Sequence, residues 1–225
     1  MKQFLIFILL ALPAGFLSAQ NTEAVIKEMT GTVELKRSGS ADWVSAKAGD
    51  RIGKDTVVST GFKSTAILSA GNSTIVVRPL TRLSLAELIS QNETETINVS
   101  LTTGRVRVEV NPPAGGRANF TVQTPSSTAS VRGTAFEMNT VNIQVLNGAV
   151  NYSPASGTFN RTVTVNSGQE SWTDAVTGDA VHPMTAAEIK RALPSLAGQP
   201  PAYGGGRLEI SGGTLALEIT LEPNE

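Results

Sequence analysis

The sequence predicts an all-β protein of two facing sheets, with one short C-terminal helix and a terminal β-hairpin, and three observations carry this prediction. Apolar residues recur at every second position, turn residues interrupt those runs at short intervals, and only one short segment has helical spacing. Val33 and Leu35 alternate with Glu34 and Lys36, and Val106, Val108 and Val110 alternate with Arg105, Arg107 and Glu109. Val163 and Val165 alternate with Thr162, Thr164 and Asn166. Side chains of a strand point alternately to its two faces, so such runs bury one face and wet the other. Leu83 and Leu85 follow the same rule, which Leu88 and Ile89 then break.

Ahead of these runs, Lys2 precedes the apolar stretch Phe4 to Leu12, and Pro13 and Gly15 interrupt it before the small residues Ser18 and Ala19. That is the pattern of a cleaved export signal over residues 1–19. From Phe4 to Ala19 there are 16 residues, short of the roughly 20 that span a bilayer. No stable transmembrane anchor is therefore expected, and the product is expected in the periplasm, at the cell surface or secreted.

The β domain is expected over residues 23–179. Ser38-Gly39, Gly49-Asp50, Ala70-Gly71-Asn72, Thr103-Gly104, Asn147-Gly148 and Ser167-Gly168 are its turns. Gly31-Thr32-Val33, Gly104-Arg105-Val106 and Gly148-Ala149-Val150 form a weak internal repeat, each glycine opening an alternating run as a corner would. Their spacings of 73 and 44 residues are too unequal for a regular array. Short strands at this density suit a jelly roll or a short β-solenoid, and the period does not choose between them.

Residues 180–225 differ in texture. Thr185 to Glu188 fits a capping box, Ile189 and Leu193 share a face, and Pro194 stops the run, which predicts a helix over 186–193. A Pro/Gly-rich linker at 196–206 follows. Leu208 and Ile210, then Leu215, Leu217, Ile219 and Leu221, flank Ser211-Gly212-Gly213 as the two arms of a hairpin. The second arm either completes a sheet or offers a partner an edge for β-addition.

Composition removes several classes of function. The chain has no cysteine, hence no disulfide framework, thiolate nucleophile or thiolate metal site. With 18 basic and 19 acidic residues it lacks the basic balance of a nucleic-acid binder.

Between Val25 and Gln169 the chain resembles the FecR domain family. The resemblance runs through Gly31-Thr32-Val33-Glu34-Leu35, Trp43 ahead of Ala48-Gly49-Asp50, Val57 to Gly61, and Ser64 to Leu68. It continues through Leu101 to Val106, with Gly104 at the strand entry, and through Phe120-Thr121-Val122-Gln123-Thr124-Pro125. Val131-Arg132-Gly133-Thr134-Ala135-Phe136 is its most specific piece, and Val145 to Val150 around Gly148, then Val165 to Gln169, close it. The resemblance implies an extracytoplasmic all-β module of the bacterial envelope. Well-known members carry a cytoplasmic sigma-factor-regulating segment and a transmembrane helix before this domain; here only the signal-like segment precedes it, so direct contact with a sigma factor is not expected.

Catalytic, cofactor and metal residues are not expected. His182 stands alone beside Pro183, Glu93 with Glu95 and Asp174 with Asp179 sit in polar loop-like contexts, and Asp50 with Asp55 lack the spacing of a calcium loop. Trp43 and Trp172 are expected to pack in the core or at an edge rather than to stack sugars. Arg132 and Gly133 could clamp a carboxylate or phosphate, but packing is favoured, with Gly133 at a tight crossing and Arg132 paired to an internal acid. The expected function is a non-enzymatic binding or signalling module contacting an envelope protein or extracellular ligand. The alternatives are a structural or adhesive surface protein and, behind it, a glycan-active enzyme.

Overall fold

The computed structural model describes residues 23–159 and 161–192. The signal-like segment, the linker at 196–206 and the hairpin bearing Leu215, Leu217, Ile219 and Leu221 lie outside the described residues. No helix among the described residues is long and apolar enough to cross a membrane.

The chain first forms β1 (Ala24–Thr30), β2 (Val33–Lys36), β3 (Val44–Ser45), β4 (Arg51–Ile52), β5 (Val57–Thr60) and β6 (Thr65–Ala70). Next come β7 (Ser73–Val77), β8 (Arg82–Gln91), β9 (Thr94–Thr103), β10 (Arg105–Glu109), β11 (Arg117–Gln123) and β12 (Ser127–Val131). The last strands are β13 (Ala135–Asn139), β14 (Asn142–Asn147), β15 (Ala149–Pro154), β16 (Val163–Asn166), β17 (Gln169–Trp172) and β18 (Met184–Thr185). Helix α1 (Ala186–Ala192) follows, with Glu188 in its first turn and Lys190 and Arg191 in its last, as the helix dipole favours. The β structure and the segment from Ala187 onward are separate compact units.

Two sheets of nine strands result. Sheet I has the order β4-β1-β6-β7-β10-β13-β14-β17-β18, and sheet II the order β3-β2-β5-β8-β9-β11-β12-β15-β16. The chain moves progressively from one end of both sheets to the other, changing sheet every one or two strands. Among the described strands none makes the long return crossover of a jelly roll. All pairs are antiparallel except β9 with β11.

The two sheets share one apolar core. Sheet I supplies Ile26, Leu68, Ile75, Val108, Phe136 and Ile143, and sheet II supplies Leu35, Val58, Leu83, Ile97, Phe120 and Tyr152, all buried. Each side chain of this size contributes about 1.5–3 kcal/mol by leaving water. Two of the four register shifts among the described strands keep the alternation directed at this core. In β8 the register shifts between Leu85 and Glu87, so Ala86 is extra and Leu88 turns back inward. That bulge is why Leu88 breaks the period visible in the sequence. In β1 the shift between Ile26 and Glu28 does the same for Met29, which packs against the core.

The repeated glycines sit where the chain changes sheet: Gly31 between β1 and β2, Gly104 between β9 and β10, Gly148 between β14 and β15. Their φ angles are 76°, 89° and 85°, a region that costs other residues. Each is faced by a hydroxyl residue from a neighbouring crossing. Ser64 Oγ accepts from Thr32 N (2.8 Å), Thr81 Oγ1 accepts from Arg105 N (2.9 Å), and Thr134 Oγ1 donates to Ala149 O (3.0 Å). Crossing segments leave the ladder, so these side chains satisfy backbone groups that no strand partner reaches.

Candidate functional site

The buried signature residues divide between a turn, a crossing and the core. Thr124 follows β11, and its hydroxyl accepts from Ser127 N (2.9 Å) and lies within donating distance of Ser127 O and Thr140 O (3.1 Å each). It thereby ties the turn around Pro125 in sheet II to the loop between β13 and β14 in sheet I. Thr124→Val should remove these bonds while keeping the volume, costing about 1–3 kcal/mol in urea unfolding, whereas Thr124→Ser should retain most of the stability. Val131 and Phe136 are core residues, and Thr134 is buried between them. Gly133, at φ 152°, carries the chain from β12 to β13, and its carbonyl lies 3.0 Å from where a side chain on Gly148 would begin.

Gly49 and Asp50 form a turn against β1. Gly49 N donates to Ile26 O (2.8 Å), and Lys47 N donates to the Asp50 carboxylate (2.9 Å). Asp55 occupies a separate turn with φ 59°. Among the described residues no three acidic or histidine side chains converge as a metal site would need.

Arg132 departs from expectation. It follows the inward-facing Val131, so strand alternation sends it outward; it is exposed and forms no ion pair among the described residues. No internal acid meets it. Glu93 and Glu95 also part company: Glu93 is exposed in the β8–β9 turn, whereas Glu95 is buried and accepts from Asn72 N (3.2 Å) and Asn72 Nδ2 (3.3 Å). Asp174 organises its own loop, accepting from Thr177 N (2.8 Å) and Val176 N (2.9 Å), and these amides hold its carboxyl below its ordinary pKa. His182 is exposed, with Nδ1 3.0 Å from Pro183 O. Trp43 lies at the β3 edge over the Arg82 guanidinium, 5.3 Å from ring centroid to Cζ, and Trp172 ends β17 half-buried.

Sequence reasoning missed a group of residues on one rim. The loops after β5, β7 and β13 leave Phe62 (74% exposed), Leu80 (60%) and Val141 (50%) in water. Leu80 N donates to Gly61 O (3.2 Å), which brings the first two loops together, and Leu80 and Val141 both line one depression of about 670 Å³. Its floor carries Arg78 and Arg105, each 3.3 Å from a carboxylate oxygen of Glu137. Leu80 holds φ at 56°, where a side chain costs about 1–2 kcal/mol. A Pro-Leu dipeptide between alternating runs was the available signal, and it reads as an ordinary turn.

The FecR protein family model matches residues 55–151. This segment lies inside the stretch from Val25 to Gln169 and contains Gly104, Thr124 to Phe136 and Gly148, while Gly49 and Asp50 fall before it. No curated protein sequence matches the chain. Two crystal structures of a candidate anti-sigma factor from Parabacteroides distasonis ATCC 8503, at 1.65 and 2.50 Å, are similar at 12% identity and a TM-score of 0.46. The first similarity covers 61% of this chain and 64% of that one, the second 60% and 62%, so this chain spans under two thirds of that protein's crystallised length. Residues 55–151 of this chain match the FecR protein family model and lie within an all-β frame of two sheets.

Proposed function

We propose that this chain is a non-catalytic binding module of a signalling or regulatory system, docking a protein partner on the rim that carries Phe62, Leu80 and Val141. FecR-family sequence supports the regulatory class. The observation that carries the docking surface is Leu80, a largely exposed apolar side chain kept at a backbone angle that glycine would hold at lower cost. Strain of this kind persists where another requirement maintains it. Beside it, Glu137 is shared by Arg78 and Arg105, so a partner would meet apolar contacts bordered by a floor that keeps one net positive charge. The signal-like residues 1–19 make an envelope protein or an extracellular protein the expected partner.

Substituting Leu80 tests this reading. Leu80→Gly should leave stability unchanged or raise it by up to about 1 kcal/mol, because relief of the left-handed angle outweighs the added freedom of the unfolded chain. The same variant should bind the partner at least about tenfold more weakly. A photoreactive residue at position 80 or 141 should form a partner adduct in cells, while one at Ala114, on the opposite rim, should not. Equal adducts from both rims, or full binding by Leu80→Gly, would exclude this surface.

A further inference from the structure

We infer that the outer face of sheet II, around Arg132, binds an acidic polysaccharide. The site is separate from the rim proposed above and stands on its own observations. In register across β16, β15, β12, β11 and β9, the side chains of Thr164, Asn151, Ser130, Thr121 and Asn98 stand side by side. Adjacent strands lie about 4.8 Å apart, so this row is a lattice of hydroxyl and amide groups, bounded on β8 by Glu87, which accepts from Asn98 Nδ2 (2.5 Å). Beside it lies a depression of about 580 Å³ whose wall carries the polar residues Asn119, Thr121, Ser130, Arg132 and Asn151, three apolar residues and no acidic one.

The partners of these groups decide what the depression receives. Among the described residues the side chains of Asn119, Thr121, Ser130 and Arg132 form no hydrogen bond or ion pair, although each reaches solvent. In the rim depression the arginines already face Glu137; here Arg132 faces none, and Arg117, two residues before Asn119 on β11, likewise has no ion pair. A guanidinium offers a planar fork that fits a carboxylate or sulfate. Hydroxyl and amide side chains fit the alternating donors and acceptors of sugar hydroxyls. A neutral glycan would leave the guanidiniums without a counter-charge. An acidic peptide would be expected to seek the free strand edge, which this face offers only at β16, one end of the row, and poly-glutamate is the competitor that reports it.

The test uses the full chain titrated with polygalacturonate, whose anion is carboxylate, and with dextran sulfate, with neutral dextran as the control. Saturable binding to one or both anionic polymers and none to dextran is expected, the stronger polymer identifying the anion. Arg132→Gln should weaken that binding about tenfold and Asn119→Leu severalfold, with circular dichroism unchanged because both residues are exposed, and Leu80→Gly should not affect it. Failure of both anionic polymers to bind, equal binding of dextran, equal competition by poly-glutamate, or wild-type affinity in Arg132→Gln would each overturn the inference.

Discussion

Gly104→Ala is expected to lower the free energy of unfolding by about 4 kcal/mol. The left-handed angle of 89° costs an L residue about 1–2 kcal/mol. The new Cβ would also collide with Thr81 Oγ1 and Cα and lie 2.7 Å from Leu80 O. Two of these three atoms are backbone, so relief requires the crossing itself to shift, an overpacking cost of about 1–3 kcal/mol. Such a shift would also strain the bonds of Thr81 Oγ1 with Arg105 N and Arg105 O. Gly39→Ala is the matched control: φ is 75° but nothing lies within 4 Å, so only the conformational cost of about 1–2 kcal/mol should appear. Urea unfolding followed by tryptophan fluorescence would measure both. Equal losses at the two positions would show that the close approach at Gly104 contributes nothing.

Tyr152→Ala is expected to cost a similar amount, about 3–5 kcal/mol, by opening a cavity in the shared core. Tyr152 is among the largest fully buried side chains, rising from β15 of sheet II. Its hydroxyl donates to Val141 O (3.1 Å) and lies 2.8 Å from Thr173 Oγ1, both in loops of sheet I. Tyr152→Phe should keep the packing and lose only these contacts, about 1 kcal/mol. Because Val141 belongs to the proposed docking rim, Tyr152→Phe should also loosen that rim, read as faster amide exchange in the loop between β13 and β14. If exchange there stays at the wild-type rate, Tyr152 contributes to the core without organising the rim.

The family-like signature and the proposed docking surface differ in how well the sequence announced them. Gly133, Thr134 and Gly148 stand where the chain changes sheet, and Thr124 stands in the β11–β12 turn inside sheet II, places where special backbone angles and buried hydroxyls restrict residue type. The helix expected at 186–193 is present as Ala186–Ala192, since capping and helical spacing are local. Arg132 was misjudged because pairing with an acid depends on what lies across the face, which strand alternation does not reveal. Leu88 looked irregular because a bulge is defined by two strands at once.

The alternation of apolar and polar residues by itself determined that the chain forms strands with one buried face, because side-chain direction along a strand has a period of two whatever the partner. It also marked Gly31, Gly104 and Gly148 as corners, since a positive φ is a property of one residue. Only the tertiary structure decided which strands pair and how the chain moves along the two sheets, because ladder hydrogen bonds have nearly the same energy in any pairing and the shared core selects among them. The same packing brought Leu80 beside Val141, 61 residues away in sequence, and left Arg132 facing hydroxyls and amides instead of an acid. Which side chains meet on a surface is set by the arrangement of the sheets beneath it, and no local pattern encodes that.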